Sequence, residues 1–262
     1  MKQKEKVQDM ILDLFKLDNK TAIVTGANTG LGQGMCVALA EAGANVVGVA
    51  RRECSETKQL VEKAGGKFKE VIADLSNLSK IDDIVNEAVE AFGSIDILVN
   101  NAGVIKRQDA IEFSLENWDV VMDTNIKTVF FLSQAVAKQM IKQGNGGKIV
   151  NVASMLSYQG GIRVPAYTAS KSGILGLTRA LANEWAKYNI NVNAIAPGYM
   201  ATNNTQQLRD DANRSVEILD RIPQGRWGTK EDMQGAVVYL SSKASDYVNG
   251  FTLAVDGGWL AR

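Results

Sequence analysis

Histidine is absent from this sequence of 262 residues. Its absence excludes Ser-His-Asp and Cys-His catalysis and histidine-ligated zinc within the chain, and it leaves tyrosine, lysine and carboxylates as the groups for proton transfer. The two cysteines, Cys36 and Cys54, are isolated and form no C-x-x-C pair. They indicate neither a disulfide framework nor a thiolate metal site, and two free thiols are typical of a reducing cytoplasm.

The sequence also lacks an excess of positive or negative charge, and it lacks long apolar runs. The 29 Lys and Arg residues balance 29 Asp and Glu residues, so no basic bias predicts binding to nucleic acid or to an anionic membrane. No apolar run is long enough for a membrane span. Asp9, Asp13 and Asp18 interrupt the first residues, which therefore lack the apolar stretch of a signal peptide. We expect a cytoplasmic protein that binds neither nucleic acid nor a membrane.

Apolar segments of strand length alternate with helical segments along the chain. Such alternation predicts βαβ units and a parallel sheet. No linker divides the chain, so we predict one doubly wound α/β domain over 20–262, with a seven-stranded parallel sheet and helices on both faces, after a helical lead-in over 1–19. Residues 199–225 are predicted to form a lobe over the site. The predicted strands are TAIVT (21–25), NVVGVA (45–50), FKEVIAD (68–74), IDILVNNAG (95–103), KIVNVAS (148–154), INVNAIAPG (190–198) and FTLAVDGG (251–258); predicted helices include 77–92, 114–123 and 124–143.

Tyr167 and Lys171 lie four residues apart in a segment with a helical period of apolar residues. This spacing puts both side chains on one face of a helix. A lysine ammonium beside a phenol favours the phenolate, and the pKa is then predicted to fall from its ordinary value near ~10. Ser154 follows a predicted strand, at the edge of a parallel sheet where ligands bind. The alternative is a surface Tyr and Lys on an amphipathic helix.

A glycine-rich turn, TGANTGLG, joins the first predicted strand to a helix. Glycine allows a tight turn and close approach to a phosphate, and the helix N-terminus supplies N–H groups. The spacing of Gly26, Gly30 and Gly32 is G-x-x-x-G-x-G, so the turn favours a dinucleotide, with a purely structural turn as the alternative.

Three further strands end at the same edge of the predicted sheet as the glycine-rich turn. The small residues of NNAG at 100–103 would let a ribose and adenine lie close, although Asn and Gly are also ordinary turn residues. Asp74 is predicted either to reach the adenine amino group or to cap a helix. The second strand is followed by Arg51 rather than by the acid that binds the ribose 2′-hydroxyl of NAD. An arginine there would meet the 2′-phosphate of NADP or stack on adenine.

These motifs together resemble the short-chain dehydrogenase/reductases over essentially the whole chain. The resemblance implies a single Rossmann domain, a homotetramer, a nicotinamide cofactor and a catalytic tetrad. We expect NAD as the cofactor, with NADP open because of the arginine after the second strand. The matching residues are TGANTGLG (25–32), Asp74, NNAG (100–103), Asn125, Ser154, Tyr167-x-x-x-Lys171 and PGYMAT (197–202). The implied catalytic residues are Asn125, Ser154, Tyr167 and Lys171, and the expected cofactor contacts are Gly26, Asn28, Thr29, Gly30, Leu31, Gly32, Arg51, Asp74, Leu75, Asn101, Ala102, Gly103, Tyr167, Lys171, Pro197, Gly198, Met200 and Thr202.

Several segments, among them the region around Ser154 and Tyr167 and the C-terminal ASDYVNGFTLAVDGGWLAR, are similar to the sugar-acid dehydrogenases of that family. This similarity implies hydride transfer to or from a deoxy-sugar acid, such as 2-deoxy-D-gluconate or 2-dehydro-3-deoxy-D-gluconate, in pectin and uronate catabolism. Gluconate 5-dehydrogenases, 3-oxoacyl-thioester reductases and a cofactor-sensing binding protein are the alternatives. A sugar-acid carboxylate needs a cation, and arginine offers two parallel donors. The expected substrate contacts are Arg107, Ser154, Gln159, Arg163 and Asn203, with Asn204 beside them.

Overall fold

The computed structural model describes residues 10–262. All seven strands form one parallel sheet in the order β3-β2-β1-β4-β5-β6-β7, which confirms the predicted doubly wound α/β fold. The order reverses at β1, which pairs with both β2 and β4. In open α/β sheets a ligand crevice opens at such a reversal, at the carboxyl ends of the strands. The strands are β1 (Thr21–Thr25), β2 (Asn45–Ala50), β3 (Phe68–Ile72), β4 (Ile97–Asn100), β5 (Gly147–Val152), β6 (Ile190–Pro197) and β7 (Thr252–Val255).

Nine α-helices are found in residues 10–262. They are α1 (Gly30–Glu41), α2 (Ser55–Lys63), α3 (Ile81–Phe92), α4 (Leu115–Met122), α5 (Thr128–Gln143), α6 (Pro165–Trp185), α7 (Gln206–Asp210), α8 (Ala212–Arg221) and α9 (Gln234–Ser241). The last of these was not predicted from the sequence. The helix predicted over 124–143 begins later than expected, because a π-helical segment, Asp123–Lys127, precedes it. Over the same residues, no helix has both the length and the apolar character needed to cross a membrane.

The predicted lead-in falls partly outside the described residues, since 1–9 are not among them. Its remaining part holds one short 3₁₀ helix, Ile11–Phe15. The Phe15 ring lies 6.3 Å from that of Tyr239, at the end of α9. The lead-in therefore reaches the body of the fold through this helix.

Side chains alternate between the two faces of the sheet, as the period of a strand requires. In β1, Ala22 and Val24 pack with α1 and α9, whereas Ile23 packs on the opposite face with α3, α5 and α6. Both faces are thus covered by helices, which explains why the central strands are nearly continuous apolar segments.

A buried chain of polar side chains crosses the middle of the sheet. The Asn100 amide donates to Ser133 Oγ and to Asn151 Oδ1, both at 2.9 Å, and the Asn151 amide donates to Thr178 Oγ1 at 3.0 Å. The chain links β4 and β5 to α5 and α6, so it fixes α6 relative to the strand ends. Pro165 starts α6 at its first turn, where a missing N–H costs nothing.

Candidate active site

A cleft of about 950 Å³ lies at the carboxyl ends of the strands, where the strand order reverses. The loops that follow β1 to β6 all contribute to its wall. Among residues 10–262 there is no group of three or more Cys, Asp or Glu side chains that could hold a metal ion.

Tyr167 and Lys171 both face this cleft from α6, as their spacing predicted. Lys171 is only 4% exposed, and its Nζ donates to the Val152 carbonyl at 2.6 Å, at the end of β5. The same nitrogen lies 5.8 Å from the centre of the Tyr167 ring. Burial lowers the pKa of Lys171 to about 8, because an ammonium loses its hydration there.

The pKa of Tyr167 is raised above its usual value, and burial is the main cause. The Ser154 hydroxyl and the charge of Arg107 act in the opposite direction. This differs from the expectation that Lys171 lowers the pKa of the phenol. The reason is geometric, since the ammonium points at a main-chain carbonyl rather than at the phenol oxygen. At neutral pH the chain by itself holds Tyr167 as a neutral phenol.

Ser154 directly follows β5 and is 8% exposed. Its Oγ accepts the N–H of Leu156 at 3.1 Å, which leaves the hydroxyl proton available to a second partner. Ser157 secures this loop on α6, because its Oγ receives the Ser154 N–H at 3.2 Å and donates to the Lys171 carbonyl at 2.6 Å. Ser154 is thereby fixed relative to the helix that carries the other two side chains.

Asn125 lies beneath the cleft floor, fully buried in the π-helical segment. Its amide donates to the Val104 carbonyl at 2.9 Å and to Ser170 Oγ at 3.2 Å, and its Oδ1 accepts the Val104 N–H at 2.8 Å. Three of its four hydrogen-bonding positions are thus used by the protein. The side chain anchors the loop after β4, and only one acceptor position is left for a water.

The glycine-rich turn has positive φ angles and leaves no space for a Cβ at Gly26 or Gly32. Gly26 and Gly30 have positive φ angles of 67° and 57°, which glycine adopts readily. A Cβ on Gly32 would meet the Gly26 carbonyl oxygen, and one on Gly26 would come within 2.9 Å of Asn101 Nδ2. Thr29, the N-cap of α1, makes no side-chain cap hydrogen bond. The first N–H groups of α1 are therefore free for an anion, and the backbone leaves room for a diphosphate.

Nearly all predicted cofactor residues line this cleft. Gly32 does not, since it packs beneath the turn. Asn101 and Ala102 donate main-chain N–H groups to Thr25 Oγ1 at 3.0 Å each, so the ends of β1 and β4 are tied together. The lining residues that were predicted are Gly26, Asn28, Thr29, Gly30, Leu31, Arg51, Asp74, Leu75, Asn101, Ala102, Gly103, Tyr167, Lys171, Pro197, Gly198, Met200 and Thr202.

At the β2 and β3 end of the cleft, Arg51 and Arg52 are exposed and Asp74 lies two residues past its strand. Asp74 Oδ1 accepts the N–H of Ser76 at 3.0 Å and its hydroxyl at 2.9 Å. These bonds, with a smaller effect from Arg51, hold the pKa of Asp74 below its usual value. Asn77, and not Asp74, is the N-cap of the helical turn that follows. Asp74 closes the turn before it through Oδ1, and its other carboxylate oxygen, Oδ2, stays available to the cleft.

The turn over 200–205 lines the cleft next to the glycine-rich turn, with Thr202 beside Gly30, and it contains the predicted Asn203 and its neighbour Asn204. Arg107 reaches it from the loop after β4, where its Nη2 donates to the Asn204 carbonyl at 2.9 Å. Arg209 supports the same turn from α7, through the Thr202 carbonyl at 3.2 Å. Ser154 and Asn203 thus lie in the cleft wall, and Arg107 lies at its edge.

Arg163 and Gln159, also predicted to contact substrate, are not in the cleft wall. Arg163 has a positive φ of 65°, and its Nε pairs with Asp109 Oδ1 at 2.9 Å. Gln159 Oε1 accepts from Arg221 at 3.3 Å and from Trp259 Nε1 at 3.1 Å. Both side chains are therefore engaged with other parts of the protein.

Sequence reasoning missed several residues that shape the cleft. Ser157 and Ser170 belong to no recognised motif, and Thr25 begins the TGANTGLG motif but was given no role of its own. Each of the three bonds to a partner distant in sequence. The helical spacing of Ser170 beside Lys171 was the only signal available. Further lining residues that were not predicted are Gln33, Arg52, Glu56, Ala50, Ala73, Ser76, Val104, Val120, Thr124, Val152, Ala153, Ala201 and Thr205.

The profile of the family described as enoyl-(acyl carrier protein) reductase matches residues 26–260. Together with the parallel sheet and the Ser-Tyr-Lys cleft, this match shows that the chain belongs to the short-chain dehydrogenase/reductase family of oxidoreductases. The confirmed family agrees with the resemblance of the sequence.

Relatives within this family include the 2-dehydro-3-deoxy-D-gluconate 5-dehydrogenases of Dickeya dadantii (strain 3937) and Escherichia coli (strain K12). They are 66% and 64% identical over 253 residues, 97% of this chain and 100% of each relative. A similar solved structure is that of a putative 2-deoxy-D-gluconate 3-dehydrogenase from Agrobacterium tumefaciens with bound NADP. It is 56% identical, with a TM-score of 0.90 over 95% of this chain and 99% of that one.

Proposed function

We propose that this protein is an NAD(P)-dependent dehydrogenase of a deoxy-sugar acid, 2-deoxy-D-gluconate or 2-dehydro-3-deoxy-D-gluconate, in the breakdown of pectin and uronates. The observation that carries the proposal is the convergence of Ser154, Tyr167 and Lys171 on the cleft that also contains the glycine-rich turn. The names of the relatives supply the substrate class.

In this proposal Tyr167 is the residue that transfers the proton. In the reducing direction its neutral phenol gives a proton to the substrate carbonyl oxygen, and in the oxidising direction its phenolate takes the hydroxyl proton. The Ser154 hydroxyl donates to the same substrate oxygen, where negative charge develops. Lys171 supplies a buried positive charge at neutral pH, because its pKa of about 8 keeps most of it protonated. Asn125 holds the loop after β4 and offers its remaining acceptor position to a relay water.

A nicotinamide dinucleotide, when bound, supplies the hydride donor or acceptor. The free N–H groups of α1 and the turn at Gly26 to Gly32 would hold its diphosphate. The predicted residues at the ends of β3, β4 and β6 would contact its adenosine and nicotinamide ribose. We retain NAD as the expected cofactor, with NADP favoured locally by Arg51.

Arg107 is the residue that we expect to bind the substrate carboxylate, because its guanidinium lies at the edge of the cleft. Burial raises the pKa of Tyr167 and the positive charge of Arg107 acts in the opposite direction, so the two side chains are close enough to interact. Asn203 and Asn204 would bond sugar hydroxyls, with residues 199–225 as the lobe that covers them within one Rossmann domain. Arg163 is a weaker choice, because Asp109 already neutralises it.

We also propose a homotetramer located in the cytoplasm. Its support is the large apolar side chains exposed on α5 and beside the edge strand β7, namely Phe131, Ile141, Tyr247 and Phe251. The cytoplasmic location is supported by the two cysteines, which are buried and unpaired.

The test is a screen of hydride transfer by the purified protein with both cofactors. Deoxy-sugar acids should give a kcat/KM at least about tenfold above that of neutral analogues and of 3-oxoacyl thioesters, a difference of roughly 1.4 kcal/mol. Arg107→Ala should remove that preference by raising the KM of the acid, whereas Arg163→Ala, which removes an arginine already paired with Asp109, serves as the matched control.

Tyr167→Phe should lower the rate on the order of 100- to 10,000-fold with cofactor binding unchanged, because only the proton-transfer group is removed. A higher kcat/KM for 3-oxoacyl thioesters than for deoxy-sugar acids would contradict the proposed substrate and favour the reductase alternative. A protein that binds the cofactor without turnover would favour the cofactor-sensing alternative.

A further inference from the structure

Three distant parts of the chain meet at the side chain of Gln159. Its Oε1 accepts a hydrogen bond from Trp259 Nε1 at 3.1 Å and one from Arg221 Nη2 at 3.3 Å. The Arg221 guanidinium also stacks over the Trp259 ring at 4.1 Å. We call these three residues the clasp. They join the loop after Ser154, the end of α8 and the C-terminal turn.

The clasp is surrounded by a small apolar cluster, separate from the two large cores. Trp259 is 4% exposed, and its ring contacts Tyr199 edge-on at 4.8 Å. Met155, which directly follows Ser154, lies in the same cluster as Ile218 of α8. The other members are Leu156, Leu208, Ile222, Trp227 and Leu260. The cluster therefore packs the proposed lobe against the loop that carries the catalytic serine.

Apolar packing of this kind is not directional, so it defines the orientation of the lobe on the loop less sharply than hydrogen bonds do. The hydrogen bonds at Gln159 are directional, and the Trp259 donor is buried. Arg262 adds a further fixed point, since its Nη2 donates to the Asp220 carbonyl at 2.6 Å at the end of α8. The clasp thus sets the position of the lobe relative to Ser154.

We propose that Gln159 is a positioning residue for the reaction, acting through Trp259 and Arg221 to hold the lobe over the substrate. This inference rests on the proposed function, in which residues 199–225 cover a sugar acid. It differs from a direct contact between Gln159 and the substrate, because Gln159 lies outside the cleft wall and its oxygen is engaged within the protein. The glycine-rich turn that would hold the diphosphate belongs to β1 and α1 rather than to the lobe. Only Met200 and Thr202, at the start of the lobe, would contact the cofactor, so we expect the clasp to act on the substrate more than on the cofactor.

The test is steady-state kinetics of Gln159→Leu, Trp259→Phe and Gln159→Glu in the full chain. Gln159→Leu removes the acceptor, and Trp259→Phe removes only the indole donor while keeping an aromatic ring. Both should raise the KM of the sugar acid about tenfold, with kcat and the KM of the cofactor changed less than twofold. Gln159→Glu keeps the acceptor oxygens for both donors and should restore the KM to within about twofold of wild type.

Gln139→Leu is the matched control, because it removes a glutamine hydrogen bond, from Nε2 to Gln143 Oε1 at 3.0 Å, within α5 and outside the lobe. It should leave all three kinetic constants unchanged. Unchanged kinetics in Gln159→Leu and Trp259→Phe would overturn the proposal. So would equal losses for the acid and the cofactor with a lowered melting temperature, since that pattern marks a general structural role. A substrate other than a sugar acid would overturn the proposed function alone, because the KM of that substrate would still report on the clasp.

Discussion

At the level of single residues, Lys171 combines a positive charge with almost complete burial. Its Nζ has one main-chain acceptor, the Val152 carbonyl, and among residues 10–262 no carboxylate forms an ion pair with it. Burying a charge without a counter-ion lowers stability, and the cost is seen in a pKa of about 8 instead of 10.5. The lysine is therefore kept at the expense of stability, as expected for a group that serves the site.

This cost predicts how stability depends on pH. Between about pH 8 and pH 10.5 the unfolded chain binds a proton that the folded chain does not, so the contribution of Lys171 to the free energy of unfolding rises with pH. Below pH 8 both states are protonated and the full cost remains. Lys171→Met should therefore show its greatest stability relative to wild type at pH 7, and that difference should shrink by about 1–3 kcal/mol towards pH 10.5.

The measurement is urea unfolding of both proteins without cofactor, from pH 7 to pH 10. Lys138→Met, at an exposed position of α5, removes a lysine without removing a buried charge and serves as the control. A difference between Lys171→Met and wild type that stays constant over this range would show that burial does not act on Lys171 as inferred.

At the level of elements, the turn from β1 into α1 shows two separate reasons for glycine. Gly32 has no room for a Cβ, whereas Gly30 has room, with Thr202 Cγ2 3.7 Å away, but has a φ of 57°. Gly32→Ala should displace the turn, lower the melting temperature and abolish cofactor binding. Gly30→Ala should cost only the strain of a left-handed residue, about 1 kcal/mol.

Gly235→Ala on α9 is the control for these two variants, because a Cβ at this position would meet nothing within 4 Å beyond its own stretch of helix. It should stabilise the protein by roughly 0.5–1 kcal/mol, since alanine favours the helix. Thermal unfolding with and without cofactor checks the whole series. A Gly32→Ala protein that binds the cofactor normally would show that the turn can relax around a methyl group.

The elements also show how far the sequence alone determines the fold. Strands β1 and β2 match their predicted bounds, because their apolar residues pack on both faces of the sheet and are flanked by glycine or charge. The short helix α9 was missed, and so were the partners of Arg163 and Gln159. Those partners, Asp109 and Trp259, are 54 and 100 residues away, and no local pattern encodes such contacts.

At the level of the whole molecule, the cleft has two ends that different halves of the sheet provide. The ends of β2 and β3 supply Arg51 and Asp74, whereas the end of β5 and helix α6 supply Ser154, Tyr167 and Lys171. The motifs of both ends were recognisable in the sequence, because they lie shortly after strands or, for Tyr167 and Lys171, at helical spacing. The substrate end was predicted less completely, because its walls come from loops whose positions depend on tertiary contacts.

This separation predicts that cofactor choice and substrate binding can be changed independently. Arg51 is exposed at the adenosine end, where a guanidinium can pair with a 2′-phosphate. Arg51→Ala should raise the KM of NADP by at least about tenfold, roughly 1.4 kcal/mol, with less than a twofold change for NAD. The KM of the sugar acid should stay the same, because Ser154, Tyr167 and Lys171 lie at the other end. Initial rates with NAD or NADP varied at saturating sugar acid give the KM of each cofactor. Initial rates with the sugar acid varied give the KM of the sugar acid. An equal loss with NAD and NADP would show instead that Arg51 stacks on adenine or supports the fold.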